Sequence, residues 1–362
     1  MSLRTAVLKI HLYLGLLGAI FLVILGLTGS IMAFEGDLDH WLHPALWYVT
    51  PAGRPLPEND LISIVQHQFQ GARVVFIQFF RAANLAQMMQ LTDGSRVYIN
   101  PYDGTVLGSR IGVQNLEVAL GYVHQLHLRL APDPRYTPNL AAIGKTVVCY
   151  AGLILCLMVP TGLILWWRRK STSIHWKGSW FRVFFDFHHA IGIYAAFFLF
   201  AASFTGIMIG FDFLEHTYYW ITRSAPPARQ KTFPSTPIPG VTPIMVDQAM
   251  EIARRAMPDA TVAMLMRPTR PPGSYTVLMR LPEETSESVH SGVIIDQYSG
   301  QVLNVRDYRT DSMGYRWVRF NRSIHTGDVL GLPTHILVSV SSLALVAMVI
   351  TGVVIWWKKL AI

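Results

Sequence analysis

The chain has 362 residues, of which 51% are hydrophobic and only 14% are charged, and its net charge is +8. Soluble proteins carry about 25% charged residues, so this composition excludes an ordinary soluble domain and indicates contact with lipid. A positive net charge can indicate a nucleic-acid partner, but here the basic residues cluster beside apolar segments, which is typical of membrane topology. We therefore expect a protein of the lipid bilayer that binds no nucleic acid.

Four segments of the chain are apolar and long enough to cross the hydrocarbon core, which takes about 20 residues as a helix. They predict an integral membrane protein with an all-α bundle of four transmembrane helices. The predicted spans are residues 8–34, 141–167, 184–211 and 334–357.

The basic residues beside these spans predict the orientation of the chain. They precede the first span, separate the second from the third and follow the fourth: Arg4, Lys9, Arg168, Arg169, Lys170, Lys177, Arg182, Lys358 and Lys359. By the positive-inside rule, the side that carries them is cytoplasmic. We therefore expect both termini and the loop 168–183 in the cytoplasm, and residues 35–140 and 212–333 on the outer side.

Each outer segment contains a helix-like piece followed by strand-like pieces, which is typical of a small α+β domain. In the first segment these pieces are residues 59–69, 72–80, 88–92 and 96–99. In the second segment they are residues 246–256, 262–266, 275–280 and 292–296. The sequence thus predicts two small external α+β domains, one in each half of the chain.

The two halves of the chain are copies of one another. The matched pieces are Val97–Leu107 with Val293–Leu303, His11 to Thr28-Gly29 with His188 to Thr205-Gly206, and Thr161-Gly162 with Thr351-Gly352. Two parallel copies imply a pseudo-two-fold axis along the membrane normal, so that equivalent residues face each other across the bundle.

Histidines at equivalent positions of the two halves are the main functional candidates, because ionisable residues inside a membrane are costly and usually functional. His11 and His188 form a predicted inner pair near the cytoplasmic ends of their helices. His127 and His325 form a predicted outer pair, and His124 and His335 are further outer candidates. Two imidazoles that face each other between apolar helices suit the axial ligation of haem iron. Structural hydrogen bonding and proton relay are the alternatives, and we interpret the Thr-Gly pairs as helix-packing residues.

These motifs together resemble one family. The residues that carry the resemblance are Ile10-His11-x3-Gly15, Thr28-Gly29, Asp103-Gly104, Phe187-His188-x3-Gly192, Ser299-Gly300 and Ile324-His325-Thr326-Gly327-x3-Gly331-Leu332-Pro333. The chain resembles the PepSY-associated transmembrane helix family of iron-regulated membrane proteins over nearly its whole length. Within that family it is similar to the FoxB-type ferrisiderophore reductases of the bacterial inner membrane.

The resemblance implies a fold, a cofactor and a set of ligands. The fold is four helices with periplasmic PepSY-like domains, and the cofactor is haem b, with two copies expected. The implied axial ligands of the haem iron are His11, His188, His127 and His325. The segment around His127 lacks the glycine pattern that follows His325, so His335 is retained as an alternative outer ligand.

The resemblance also implies a reaction, the reduction of a ferric siderophore in the periplasm with release of ferrous iron. Oxygen ligands hold ferrous iron less tightly than ferric iron, so one-electron reduction frees the metal. No nucleotide-binding glycine motif follows a predicted strand, so the electron donor is expected to be a cytoplasmic reductase or a membrane quinol. A transporter of iron, haem or chelate and a non-redox PepSY binding module are the competing hypotheses.

Aromatic and cationic residues near the outer face are candidates for contact with such a chelate. They include Trp41, Trp47, Tyr48, Arg129, Tyr136, Tyr218, Tyr219, Trp220, Arg316, Trp317 and Arg319. For most of them, anchoring at the membrane interface is the simpler interpretation.

Overall fold

The computed structural model describes residues 2–110, 115–131, 137–168, 170–227, 232–284, 289 and 291–360. The chain divides into two compact units. The membrane unit comprises Met1–Glu35, Leu116–Pro226 and Met313–Ile362, and the sheet unit comprises Gly36–Asn115 and Pro227–Ser312.

The membrane unit is built on four long apolar helices, as predicted. They are α1 (Leu3–Met32), α6 (Pro138–Trp167), α7 (Trp180–Gly210) and α11 (Leu332–Leu360). Each is long and apolar enough to cross a membrane. Helix α1 packs against α6 and α11, and α7 packs against the same two helices. Helices α1 and α7 therefore lie diagonally across the bundle.

The helices of the bundle approach closely where one of them carries glycine. A Cβ atom added at Gly26 of α1 would lie 2.8 Å from the carbonyl oxygen of Ser342 on α11 and equally close to Val346. Small residues allow such contact between membrane helices, where packing rather than a hydrophobic driving force favours association.

Three shorter helices, α5 (Asn115–Arg129), α8 (Asp212–Ile221) and α10 (Met313–Thr326), also belong to the membrane unit. This corrects the sequence analysis, which assigned these residues to the external domains. Their mean hydropathy is too low for a membrane span, so composition alone did not separate them from the domains. Helix α5 reaches the bundle at Gly144, where any Cβ atom would overlap the carbonyl oxygen of Arg129.

The sheet unit contains α2 (Glu35–Leu42), α3 (Pro44–Trp47), α4 (Glu58–Gln68), α9 (Val246–Ala256) and eight strands. The strands are β1 (Val74–Gln78), β2 (Gln87–Leu91), β3 (Arg96–Ile99), β4 (Val106–Arg110), β5 (Thr261–Met266), β6 (Ser274–Arg280), β7 (Ser291–Asp296) and β8 (Val302–Arg306). For β1, β2, β3, β5, β6 and β7, the first and last residues lie within two residues of the ranges predicted from the sequence.

The eight strands form one antiparallel sheet in the order β4-β3-β2-β1-β5-β6-β7-β8. Strands β1 and β5 join the two halves, with Ile77 opposite Leu265. The prediction of two separate external domains is therefore corrected to one composite unit. Each half alone would leave its first strand as an unpaired edge, and the pairing removes both edges.

Helices α4 and α9 cover one face of the sheet and cap each other. The Asp247 carboxylate accepts hydrogen bonds from the backbone N–H groups of Glu58, at 2.9 Å, and of Asn59, at 3.1 Å. The Asn59 side-chain oxygen in turn accepts from the N–H of Val246, at 3.2 Å. The first turns of both helices thus satisfy donors that have no partner within a helix.

Candidate functional site

The predicted inner pair meets in the interior of the bundle. His11 is on α1 and His188 is on α7, the two diagonal helices, and their ring centroids are 6.5 Å apart with the ring planes at 86°. The duplication predicted this approach across a pseudo-two-fold axis, and the structure brings the two rings together.

The predicted outer pair also comes together, on the two shorter helices. His127 on α5 and His325 on α10 have ring centroids 6.3 Å apart with the planes at 50°. The other outer candidates have different partners: His124 lies 3.4 Å from the Glu35 carboxylate, and His335 Nε2 lies 3.1 Å from Asp328 Oδ1. The geometry therefore favours His127, rather than His124 or His335, as the partner of His325.

Each paired histidine contacts a threonine of a neighbouring helix through Nδ1. The four Nδ1 to Oγ1 distances are 2.9 Å for His11 to Thr161, 2.9 Å for His127 to Thr28, 2.9 Å for His188 to Thr351 and 3.1 Å for His325 to Thr205. All four threonines begin a Thr-Gly pair, one on each long helix. Histidine and threonine thus repeat as a unit.

The hydrogen bonds of the threonines define which ring nitrogen carries the proton. Each hydroxyl donates to a backbone carbonyl about one turn earlier, for example from Thr28 to Ile24, at 2.7 Å, and from Thr351 to Ala347, at 2.8 Å. The oxygen is then left to accept a bond from Nδ1–H of the histidine. His325 Nδ1 also lies 3.0 Å from the carbonyl oxygen of Ala202, which can only accept. The proton is therefore on Nδ1, and the Nε2 lone pair is available to a metal.

The glycine of each Thr-Gly pair makes room for the imidazole. A Cβ atom at Gly29 would lie 3.1 Å from Cε1 of His127, and one at Gly206 would lie 2.9 Å from Cε1 of His325. Gly162 and Gly352 stand in the same relation to the inner pair, at 3.2 and 3.4 Å. The interpretation of Thr-Gly as a plain packing motif was therefore wrong, because threonine orients the ring and glycine accommodates it.

The two pairs fit the axial positions of a haem. Each metal–imidazole bond is about 2 Å long and the imidazole ring has a radius of about 1 Å, so the centroids of two axial rings are expected roughly 6 Å apart. The observed centroid distances are 6.5 Å for the inner pair and 6.3 Å for the outer pair. No cluster of three or more histidine, cysteine, aspartate or glutamate side chains that could hold a bare ion is found among the described residues. Two imidazoles alone suit a metal whose other positions a macrocycle fills.

The walls beside the inner pair are apolar and narrow. Gly15 and Gly192 follow the inner histidines by one helical turn, and Cβ atoms there would meet the terminal methyls of Met158 and Met348, at 3.1 and 3.2 Å. Glycine and methionine at this level leave a flexible apolar boundary, which suits the face of a planar cofactor.

A family model described as PepSY-associated TM region matches residues 8–359. The chain belongs to this family. A search of curated proteins finds no match. Membership confirms the family predicted from the motifs and the membrane character of the chain, while the FoxB-type assignment stays a prediction.

The outer histidines of this PepSY-associated TM protein are held in the neutral form. Burial, together with the nearby His325 and His124 imidazoles, lowers the pKa of His127 to about 4. Burial also lowers the pKa of His325. Both rings are therefore uncharged at neutral pH, which is the form that ligates a metal.

An apolar layer separates the two pairs in the PepSY-associated TM protein. His11 and Thr28, which mark the two levels on α1, are 17 residues apart, and the helical rise makes this about 25 Å. The buried residues of this layer come from all four long helices: Leu22, Ala151, Leu155, Ala195, Leu199 and Leu345. The described buried residues of this layer include no charged side chain that an ion could meet on crossing it.

The four threonines belong to the candidate site and were not predicted as site residues from the sequence. Thr28, Thr161, Thr205 and Thr351 were visible as a motif that occurs once in each predicted span. The sequence has one such threonine for each of the four paired histidines, and this match in number could have indicated that the two belong together.

Proposed function

We propose that this PepSY-associated TM protein is a di-haem b electron carrier of the bacterial inner membrane, which reduces a ferric siderophore in the periplasm and releases ferrous iron. The observation that carries the proposal is the set of four histidines, which face each other in two pairs and turn Nδ1–H towards threonine. Haem, when bound, supplies one-electron chemistry at each level. The chain supplies two axial nitrogens per site, oriented by threonine and enclosed by glycine and apolar side chains.

The apolar layer between the pairs favours electron transfer over transport of an ion or chelate. A charged substrate would have to cross about 25 Å of bundle interior packed with leucine and alanine, and burying an unpaired charge is costly. An electron needs no such passage through the packed side chains. The transporter hypothesis therefore lacks the polar path that it requires.

The orientation of the chain follows from its charges and is part of the same proposal. With both termini in the cytoplasm, the His11–His188 pair lies near the cytoplasmic face and accepts electrons from a membrane quinol or a cytoplasmic reductase. The His127–His325 pair then lies near the periplasm, where the ferric siderophore is met. The sheet unit is periplasmic in this arrangement.

An absorbance measurement tests the cofactor claim. Protein purified after haem-sufficient expression should show a reducible b-type spectrum with about two haems per chain. His11→Ala and His325→Ala should each remove about one haem and leave the other. His67→Ala, at an exposed histidine of the sheet unit, is the control and should keep both. Colourless wild-type protein, or loss of haem in the control alone, contradicts the proposal.

A mixing experiment tests the reductase claim separately. Dithionite-reduced protein, freed of excess reductant, should be reoxidised by a ferric siderophore under anaerobic conditions, and a ferrous chelator should then take up one iron per electron delivered. If haem is present but the protein stays reduced with every ferric chelate tried, the reductase function is excluded while electron carriage to another acceptor remains.

A further inference from the structure

An open cleft of about 680 Å³ lies beside the C-terminal end of α8, within the membrane unit. Its walls include His216, Tyr219, Trp220, Arg223 and Ser224. The volume is in the range of small-molecule sites, about 300–1,000 Å³, and it far exceeds what a single inorganic anion fills. The cleft therefore has the size for a chelate.

The lining of the cleft combines one permanent cation with aromatic surface. Arg223 presents a guanidinium, whose planar fork of N–H donors matches the oxygens of a carboxylate or similar anion. Trp220 is 80% exposed and offers a ring face to a flat or apolar part of a ligand. Asp212 is at the opposite, N-terminal end of α8, where its carboxylate pairs with Lys145 at 3.2 Å.

Hydrogen bonds connect α8 and the segment that follows it to α10, the helix that carries His325. Gly314 of α10 donates its backbone N–H to the Ser224 hydroxyl in the cleft wall, at 3.1 Å. Tyr218, beside the lining residue Tyr219, donates its hydroxyl to the buried Asn321, at 2.8 Å. Asn321 donates to the carbonyl oxygen of Thr205, at 3.0 Å, and Thr205 contacts His325.

Among the described residues, the link through Asn321 has no counterpart in the first half of the duplicated chain. Asn321 precedes His325 by four residues, and the equivalent position before His127 is Val123. Valine has no side-chain hydrogen bond to offer, so the α5 half lacks the link. The duplicated site is thus specialised on the side where the cleft lies.

We propose that the cleft beside α8 binds the ferric substrate, an oxygen-ligated chelate of net negative charge, with Arg223 as its principal cation. This inference rests on the proposed reductase function, because it names the substrate class and the docking site for the outer pair. The alternative occupant is an anionic lipid headgroup, and the test is designed to separate the two.

Binding of gallium(III) citrate to oxidised protein tests the site without any redox step, because gallium(III) matches the charge and size of ferric iron but is not reduced by haem. Calorimetric titration in nanodiscs of phosphatidylcholine, which carry no net charge, should show saturable binding. Arg223→Asn should weaken it by about tenfold or more, and Arg223→Lys should weaken it less. Asparagine is chosen because Arg223 has a φ of 50°, which asparagine tolerates well.

Matched variants guard against a trivial outcome. Arg54→Asn removes the same charge from an exposed arginine of the sheet unit and should leave the affinity unchanged. Trp220→Ala is a second variant of the cleft and should also weaken the binding of gallium(III) citrate by several-fold. It tests the site if Arg223→Asn does not fold. Equal affinities in wild type, Arg223→Asn and Trp220→Ala overturn the inference, as does an absence of binding that persists in protein free of anionic lipid.

Failure of this inference is distinguishable from failure of the proposed function. Rapid mixing of reduced protein with ferric citrate should show that Arg223→Asn raises the half-saturating concentration while the rate at saturation stays the same. If wild type and variant are reoxidised with identical concentration dependence, the chelate docks elsewhere and the reductase function stands. If neither is reoxidised by any ferric chelate, the proposed function itself is wrong.

Discussion

At the scale of single residues, the repeated element is a histidine–threonine pair rather than a histidine alone. The hydroxyl of each threonine donates its hydrogen bond to a backbone carbonyl, so its oxygen accepts a hydrogen bond from Nδ1–H of the imidazole. This arrangement holds one tautomer and one ring orientation, as partners beyond the ligands do in many metal sites. A neutral hydroxyl also leaves the histidine less basic than a carboxylate partner would.

Replacing Thr28 tests this role. Thr28→Val keeps the branched shape but removes the acceptor for His127 Nδ1, so we expect the outer site to lose about 10- to 100-fold in haem affinity while the inner site is unchanged. Thr28→Ser should restore most of the loss. The measurement is a haem titration of apoprotein, followed by absorbance.

Thr146→Val is the matched control, because Thr146 on α6 donates to the carbonyl of Ala142 and contacts no paired histidine. It should bind haem as the wild type does. If Thr28→Val and Thr146→Val behave alike, the hydrogen bond to histidine is without consequence for the site.

At the scale of elements, the N-terminal turns of α4 and α9 hold a buried carboxyl group between the two halves of the sheet unit. Glu58 is 7% exposed, and its side chain accepts a hydrogen bond from Gln87 at 2.6 Å. Burial raises the pKa of Glu58 to about 7, against the lowering effect of Gln87, and the nearby Asp247 carboxylate raises it further. Folding therefore favours the protonated form of this residue.

The raised pKa predicts that Glu58 weakens the sheet unit as pH increases. Its folded pKa lies above the unfolded value of 4.5, so folding takes up a proton between these values and stability falls as pH rises through that window. Glu58→Gln should stabilise the unit by up to about 3 kcal/mol at pH 8 and by little at pH 4. Hydrogen exchange of the α4 and β2 amides in the full chain measures this, and a pH-independent difference would contradict it.

At the scale of the whole molecule, the duplication is used in two different ways. In the membrane unit the two helices of each half are neighbours, and the equivalent helices α1 and α7 lie diagonally opposite, so equivalent histidines meet across the bundle. The two sheet halves instead join edge to edge through β1 and β5. One sheet with a shared core should unfold as a single cooperative unit rather than as two domains.

Leu265→Ala tests that cooperativity. Leu265 of β5 is completely buried, and it lies opposite Ile77 in the other half. Truncation should destabilise the unit by about 2–5 kcal/mol. Hydrogen-exchange protection should fall in β2 and β3 as much as in β6 and β7.

The control for this variant is Val305→Ala, at a position that is 46% exposed, and it should change protection little. Loss of protection confined to the second half in Leu265→Ala would show that the two halves are independent domains after all.

Local sequence patterns determined much of this protein. Long apolar runs are predictable because a span must bury about 20 residues in hydrocarbon whatever its neighbours are. The alternation of strand residues and the glycine turns are equally local, which is why the predicted bounds of β3 and β7 agree with the structure to within one residue. The inner pair followed from identical spacing in the two halves, since equal spacing on equal helices gives equal depth.

Only the tertiary structure decided the contacts between distant segments. The hydrogen bond of His127 to Thr28 joins residues 99 positions apart, and that of Gln87 to Glu58 depends on how a helix meets a strand. The pairing of β1 with β5 is set by which edge remains free once each half has folded. No local periodicity encodes such contacts, so the duplication and the paired histidines could be read from the chain, whereas the threonine partners, the composite sheet and the cleft beside α8 required three dimensions.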